Sequence, residues 1–334
     1  MLTDKFNRPL RDLRISVTDR CNFRCTYCMP EEIFGERYQF LPREDLLTFE
    51  EITRVARILV NLGAVKLRLT GGEPLMRTDV EKLVGMLAQI DSTEDIAMTT
   101  NGYFLPQKAQ MLHDAGLKRI TISLDTLDDA IFRQMNGNRA SVQKVLEGIE
   151  AAEKAGFSPI KINAVVKRGV NDHTVVELAR FCKERGYIVR FIEYMDVGTM
   201  NDWKMDQVVP ADELVERISA EIPLELLERN YHGEVALRYR YADGGGEIGF
   251  ITSVTKPFCG TCTRLRLSPE GKLYTCLFGI HGVDIRDVMR SGGTDTDVEQ
   301  VIHKVWAKRT DRYSEIRTSF TKPRPKVEMY HIGG

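Results

Sequence analysis

Three thiols fall within eight residues at Cys21-Asn22-Phe23-Arg24-Cys25-Thr26-Tyr27-Cys28, followed at once by Met29-Pro30. The spacing C-x3-C-x2-C brings three sulfurs onto one loop and leaves the set one short of four. A thiolate-held four-iron cluster takes four ligands, so three Cys leave one iron open to a small molecule carrying an amine and a carboxylate. Two blander readings stand beside it: a structural zinc site completed by a distant His, or three reduced thiols with no ligand. Zinc loops usually show C-x2-C pairs, which the first two Cys here are not.

A second triplet follows the same arithmetic. Cys259-Gly260-Thr261-Cys262 is joined by Cys276 after thirteen residues. A C-x2-C turn plus a Cys from the far strand of a hairpin suits a zinc ribbon, with His281 or His232 as fourth ligand, as well as it suits iron–sulfur. Directly after the turn, Thr263-Arg264-Leu265-Arg266-Leu267 alternates, so Arg264 and Arg266 share one face of a strand. Paired guanidiniums beside a metal can hold phosphate oxygens; an isolated R-x-R is more commonly a solvated surface strand. Arg14, Arg68 and Lys161 lie in or at other expected strands, where a cation is costly to bury unless paired. Four or five cations aimed into one cavity suit a triphosphate.

The elements that must position these residues alternate. Leu13–Val17, Val65–Thr70, Ile96–Thr100, Arg119–Leu124, Ile160–Val166 and Ile188–Tyr194 read as strands. Helical patterns cover about Phe49–Leu62, Thr78–Ile90, Pro106–Ala115, Ser141–Ala155 and Asp172–Arg185. Six strands alternating with helices imply a parallel sheet of βα units. Spacing alone leaves a partial barrel and a doubly wound sheet both open. After Asp196 the rhythm breaks, dividing the chain into residues 1–196 and 197–334. The second part shows a linker to Pro210, a helix at Ala211–Glu221 and antiparallel strand signals at Ala236–Tyr241 and Glu247–Val254. The hairpin Arg264–Leu267 and Lys272–Leu277 follows, then helices at Asp284–Arg290 and Asp297–Lys308, and a tail from Thr321 to Gly334.

Composition narrows the partners. The 334 residues carry a formal net charge of −1 and a pI near 6.6, which argues against general attraction to nucleic acid or an acidic membrane. No apolar run has membrane-spanning length. Two Cys triplets plus Cys182, without a secretory leader, argue for metal in a reducing, cytoplasmic compartment. Cys182 falls in a helical run and reads as packed.

The motif C-x3-C-x-aromatic-C resembles the signature of the radical S-adenosylmethionine (SAM) superfamily. Gly71-Gly72-Glu73-Pro74, one strand later, resembles the GGEP motif by which those enzymes hold the methionyl amine. SAM has the amine and carboxylate that an open iron wants, and one electron delivered beside its sulfonium breaks a carbon–sulfur bond. Over nearly its whole length the chain is similar to the GTP 3′,8-cyclase family of molybdenum cofactor biosynthesis. The residues carrying this are Asp19 to Pro30, Leu69 to Pro74, Thr99-Thr100-Asn101-Gly102, Ser123-Leu124-Asp125, and Phe258 to Leu267 with Cys276. Thr263 stands where Asn is expected, a departure that touches no ligand.

The resemblance implies an α/β fold: a partial (βα)6 TIM-like radical SAM barrel with a C-terminal α+β region carrying a second cluster. It implies one [4Fe-4S] cluster on Cys21, Cys25 and Cys28, and another on Cys259, Cys262 and Cys276 facing the guanine. SAM would meet Tyr27, Gly72, Ser123 and Met195; GTP would meet Arg14, Arg68, Thr99, Lys161, Arg264 and Arg266. The terminal Gly333-Gly334 would enter the active site, within reach because ten extended residues from Pro325 span about 30 Å. The product would be 3′,8-cyclo-7,8-dihydro-GTP, formed with no conventional acid/base pair. Implied partners are a flavodoxin- or ferredoxin-like one-electron reductase, the downstream cyclic pyranopterin monophosphate synthase, and a second copy in a homodimer. The rival readings are a peptide-modifying radical SAM enzyme with an auxiliary cluster, and a non-enzymatic metal-binding or iron-sensing module.

Overall fold

The computed structural model describes residues 2–317 and 326–334, so part of the expected tail, 321–325, lies outside the described residues. Six parallel strands stand side by side in chain order: β1 (Asp12–Ser16), β2 (Lys66–Thr70), β3 (Asp95–Thr100), β4 (Arg119–Ser123), β5 (Lys161–Val166) and β6 (Ile188–Glu193). The main connecting helices are Phe49–Asn61, Val80–Ala88, Leu105–Asp114, Val142–Lys154 and Val175–Glu184. Alternate strand residues such as Leu13, Ile15, Leu67, Leu69, Ile120 and Ile122 are fully buried and join one apolar core with the helices. The alternation is the cause: a strand turns successive side chains to opposite faces, so the apolar set packs outward and the polar set is left facing the barrel interior. Gly63 and Gly116 close the helices before them at φ 115° and 101°, a backbone region that side chains oppose.

The remaining strands are β7 (Leu224–Leu227), β8 (Leu237–Tyr241), β9 (Glu247–Ile251), β10 (Arg264–Leu267), β11 (Lys272–Tyr274) and β12 (Val283–Asp284). Their hairpins are antiparallel internally, as expected. What local signals do not reveal is where they go: β10 pairs in parallel with β1, and β9 in parallel with β6. Both open edges of the six-strand sheet are thereby hydrogen-bonded, and one twelve-strand sheet runs β12-β11-β10-β1-β2-β3-β4-β5-β6-β9-β8-β7.

Several short pieces escape the periodicity. Asp129–Met135 is a seven-residue helix, too short for a clear period, whose start is capped by Asp128 accepting from the Ile131 amide at 2.9 Å. The edge strand β7, Leu-Glu-Leu-Leu, lacks the β-branched residues that mark a strand. The N-terminal segment is docked: Asp4 and Arg8 form a buried pair at 2.5 Å, and Arg309 lies 3.6 Å from the same carboxylate. Among the described residues no helix is long and apolar enough to cross a membrane.

Candidate active site

The first cysteine loop begins where β1 ends, and its shape comes from backbone bonds. The Cys28 and Met29 amides both donate to the Cys25 carbonyl, at 2.9 and 2.8 Å. The short helix 129–135 props the loop from below, its end carbonyls at Met135 and Asn136 accepting from the Thr26 and Arg24 amides. The Gly71-Gly72-Glu73 turn is stitched to the same loop, because Gly72 N donates to Thr18 O at 2.8 Å and Glu73 N to Arg20 O at 2.8 Å. A Cβ on Gly72 would press into the Arg20 carbonyl, so this close approach needs glycine. Burial pushes the Cys21 thiol up to about 12, and also drives Cys25 and Cys28 above the usual thiol range. Buried thiols of this kind ionise when a metal's positive charge stands beside them.

The second triplet sits on the turn Cys259–Thr261 and at Cys276, just past β11. Arg8 fixes the turn by donating to the Cys259 carbonyl at 2.8 Å. Its surroundings are cationic. Arg264 directs Nε and Nη2 at the Cys262 sulfur, at 3.2 and 3.1 Å. Burial raises the Cys262 thiol, but Arg264 and Arg309 outweigh it and bring the group down to about 6. All seven cysteines are free thiols. Among the described residues no three His, Cys, Asp or Glu side chains are disposed to share one metal ion; thiols on a four-iron cluster each take a different iron. Each set offers three thiols, the number that leaves one iron of a four-iron cluster without a protein ligand.

Between the two triplets lies a cavity of about 380 Å³, in the size range of ligand sites. All six cysteines of the two triplets line it, with Tyr27, Gly72, Ser123, Met195, Arg14, Arg68, Thr99, Lys161, Arg264, Arg266 and Gly334. Strand register explains the gathering. Arg266, Arg14, Arg68, Ala97 and Arg119 are successive partners across β10, β1, β2, β3 and β4, a row of four guanidiniums with one small residue among them. Further rows set Thr99 beside Thr121 and Lys161, and Ser123 beside Asn163 and Arg190. Neither His232 nor His281 lines the cavity.

The cations there outnumber their partners. Burial, then Arg266, Arg264 and Arg68, hold Arg14 well below the ordinary guanidinium range. Burial and Arg264 bring Arg266 down to about 9, and burial and Arg68 bring Arg190 to about 9. Lys161 falls to about 8 through burial and then Arg190. Of the row, Arg119 has a carboxylate partner, Asp95, whereas Arg68 donates to the hydroxyls of Thr99 and Thr121 at 3.1 and 3.4 Å. Such a wall calls for an anion of several charges.

Gly333 and Gly334 reach this wall. Arg266 donates to the Gly333 carbonyl and Arg14 to the Gly334 carbonyl. Gly333, at φ 76°, leaves no room for a side chain beside Thr70. Beside the first triplet, the Tyr27 hydroxyl donates to Asp125 at 2.8 Å, and burial raises that carboxyl to about 6. Glu73 accepts from the Thr100 hydroxyl and from the Asn101 and Leu75 amides, at 2.7, 2.7 and 3.0 Å, locking the GGEP turn to β3. Arg190 and Arg119 join the site only through the fold, although a cation between Val189 and Phe191 is the same signal that singles out Arg68.

Comparison with known proteins agrees with this geometry. Residues 15–182 match the model of the radical SAM superfamily, and residues 187–315 match Molybdenum Cofactor Synthesis C. The chain is 54% identical to the GTP 3′,8-cyclase of Acidothermus cellulolyticus, over 95% of this chain and 88% of that protein. It is 48% identical to that of Staphylococcus carnosus, over 100% and 99%. The chain belongs to the GTP 3′,8-cyclase family. Membership in this family and the radical SAM superfamily makes SAM and an iron–sulfur cluster its cofactors. Among solved structures, Streptococcus suis SuiB shares the fold, with a TM-score of 0.60 at 17% identity over 90% of this chain and 66% of that one. SuiB bound to S-adenosylmethionine gives 0.58 at 16% identity, over 84% and 63%. The chain spans less than two thirds of the length of these SuiB structures.

Proposed function

We propose that this cyclase converts GTP to 3′,8-cyclo-7,8-dihydro-GTP, the first step of molybdenum cofactor biosynthesis. The observation that carries the reading is the row Arg266, Arg14 and Arg68, which among the described residues form no ion pair with an Asp or Glu side chain and which face a cavity walled by both cysteine triplets. Residues 1–196 form the radical SAM unit and 197–334 the substrate-cluster unit with its di-glycine tail. Cys21, Cys25 and Cys28 hold one [4Fe-4S] cluster, and Cys259, Cys262 and Cys276 hold a second. When bound to the first cluster, SAM supplies a 5′-deoxyadenosyl radical on one-electron reduction.

The chain's own residues bind, orient and exclude. Tyr27, Gly72, Ser123 and Met195 hold SAM at the upper strand ends. Arg14, Arg68, Thr99, Lys161, Arg264 and Arg266 hold GTP, their charge taken up by the triphosphate. Fixing base and phosphates at once presents the ribose 3′ hydrogen to the SAM side and keeps C8 within reach of C3′. Gly333 and Gly334, on two of the same guanidiniums, narrow the cavity and exclude water. No acid/base pair is required. The reaction takes place in the cytoplasm, with a flavodoxin- or ferredoxin-like reductase as electron donor, cyclic pyranopterin monophosphate synthase as consumer of the product, and a homodimer as the working unit.

The test is anaerobic turnover of reconstituted protein with SAM, reductant and GTP deuterated at C3′. Deuterium in 5′-deoxyadenosine, read by mass spectrometry, is the expected result. SAM cleavage without label transfer would move the chain to the peptide-modifying reading, and intact clusters with no cleavage to the non-enzymatic one.

A further inference from the structure

We propose that Asp196 is a positioning residue for this reaction: it latches the C-terminal tail at the point where the SAM pocket, the second cysteine triplet and the tail meet. The inference rests on the cyclase reading above. Asp196 directly follows Met195 and does not itself line the cavity. Its carboxylate receives Lys326 Nζ at 2.6 Å, pairs with Arg317 Nη2 at 2.8 Å and accepts from the Tyr313 hydroxyl. Lys326 Nζ also donates to the Asp196 carbonyl at 2.6 Å. The two cationic side chains are 2% and 5% exposed, so Asp196 gathers the described residues on either side of 318–325 into one buried knot.

The knot is built against both sites. Phe278 and Tyr313 stack at 4.5 Å, and Arg317 and Lys326 each lie within 5.3 Å of both ring centroids. Val197, Phe278 and Tyr313 form a small apolar cluster that packs on Met195, Cys276 and the tail residue Met329. From Lys326 the tail is pinned along its length. Glu328 accepts from the Thr199 amide at 2.8 Å, Tyr330 meets the Tyr38 hydroxyl at 2.7 Å, and His331 meets Glu270 at 2.9 Å. It ends with the Gly333 and Gly334 carbonyls on Arg266 and Arg14.

A chain of fixed bond lengths transmits the position of its anchor. Lys326 at Asp196 is the first of these anchors, and it sets where the tail starts its run to the cation wall. Removing that carboxylate takes an ion-pair partner from two buried cations and loosens the hold on the tail at Lys326.

The test uses the reconstituted holoenzyme and two readouts: release of Gly334 and Gly333 by carboxypeptidase, and cyclised GTP formed per 5′-deoxyadenosine. Asp196→Asn is expected to speed glycine release about tenfold or more and to lower the product ratio about tenfold or more. Iron content and total SAM cleavage should stay within about twofold. Lys326→Gln should repeat both defects, and Lys326→Arg should restore both. A tail as protected in Asp196→Asn as in wild type overturns the proposal; so does a released tail with an unchanged product ratio. Should Asp196→Asn fail to assemble, Tyr313→Phe removes one bond to Asp196 and keeps both ion pairs. It should shift both readouts in the same direction by a smaller factor, and no shift in either overturns the latch. If wild type cleaves SAM without cyclising GTP, the cyclase reading fails, and glycine release alone then decides whether Asp196 holds the tail.

Discussion

The first cysteine triplet is wrapped in aromatic side chains, whereas the second stands among guanidiniums. Around Cys21 and Cys28 lie Met29, Phe34, Tyr38, Phe40 and Tyr330, and the nearby Arg24 directs its nitrogens to the carbonyls of Cys21, Phe23 and Phe34. Around Cys262, Arg264 points at the sulfur itself and Arg309 donates to its carbonyl at 2.7 Å. The consequence is opposite behaviour of two thiols, with burial raising Cys21 to about 12 and Arg264 and Arg309 overcoming burial to bring Cys262 to about 6; at Cys276 burial and then Asp311 prevail and raise the thiol to about 11. Positive surroundings stabilise added negative charge, and neutral, apolar ones do not; the charge and hydrogen bonds around a cluster set its potential. On the proposed reading, the apolar loop suits a strongly reducing centre and the cationic turn suits a centre that receives an anionic substrate.

The largest test separates the two triplets outright. Cys28→Ser should abolish SAM cleavage, and Cys276→Ser should keep cleavage while abolishing cyclisation, each protein losing about four of about eight irons. Iron analysis and 5′-deoxyadenosine release read this, and equal loss of cleavage in both would collapse the distinction. Next, replacing Arg264 and Arg266 together by Ala should lower GTP conversion about a thousandfold or more with SAM affinity unchanged by calorimetry. Unchanged cyclisation in that double variant would remove the cation row from the site.

Gly72→Ala probes the other side. Its Cβ meets the rigid Arg20 carbonyl, so SAM binding should weaken about tenfold or more while GTP binding is retained, as read by equilibrium dialysis of each ligand. Loss of both together would make the turn a global support instead.

The smallest effect concerns where the tail bridges the two regions. Burial pushes the Glu270 carboxyl up, but His331 outweighs it and holds the group near 2, against an ordinary 4.5. A carboxyl lowered on folding stabilises above about 4.5, and that contribution is lost as pH falls towards about 2. The difference in thermal midpoint between wild type and Glu270→Gln should therefore shrink over that interval. A difference independent of pH would show that the pair contributes nothing through charge.

Much of the site is legible in the sequence because its signals are local. C-x3-C-x2-C, Gly71-Gly72-Glu73-Pro74 and the alternation Arg264-Leu265-Arg266 are each complete within a few residues, and covalent spacing alone constrains what they can do. Arg190 carries the same signal as Arg68, a cation inside an apolar strand, but has no neighbouring motif to single it out. Other features have no local signal: Asp196 reads only as the last residue of the first part until Arg317 and Lys326 converge on it.

By itself, then, the sequence determined the six βα units, the two sets of three thiols and the sign of the charge near the second. Periodicity and spacing are properties of the chain that survive without tertiary contacts. Only the tertiary structure decided that β9 and β10 pair in parallel with opposite edges of the barrel sheet. It alone decided that Arg266, Arg14, Arg68 and Arg119 fall into one row, and that the last two glycines end on that row. Each of these joins residues far apart in the chain, and which strand edges and which buried charges meet is settled only when the whole core packs at once.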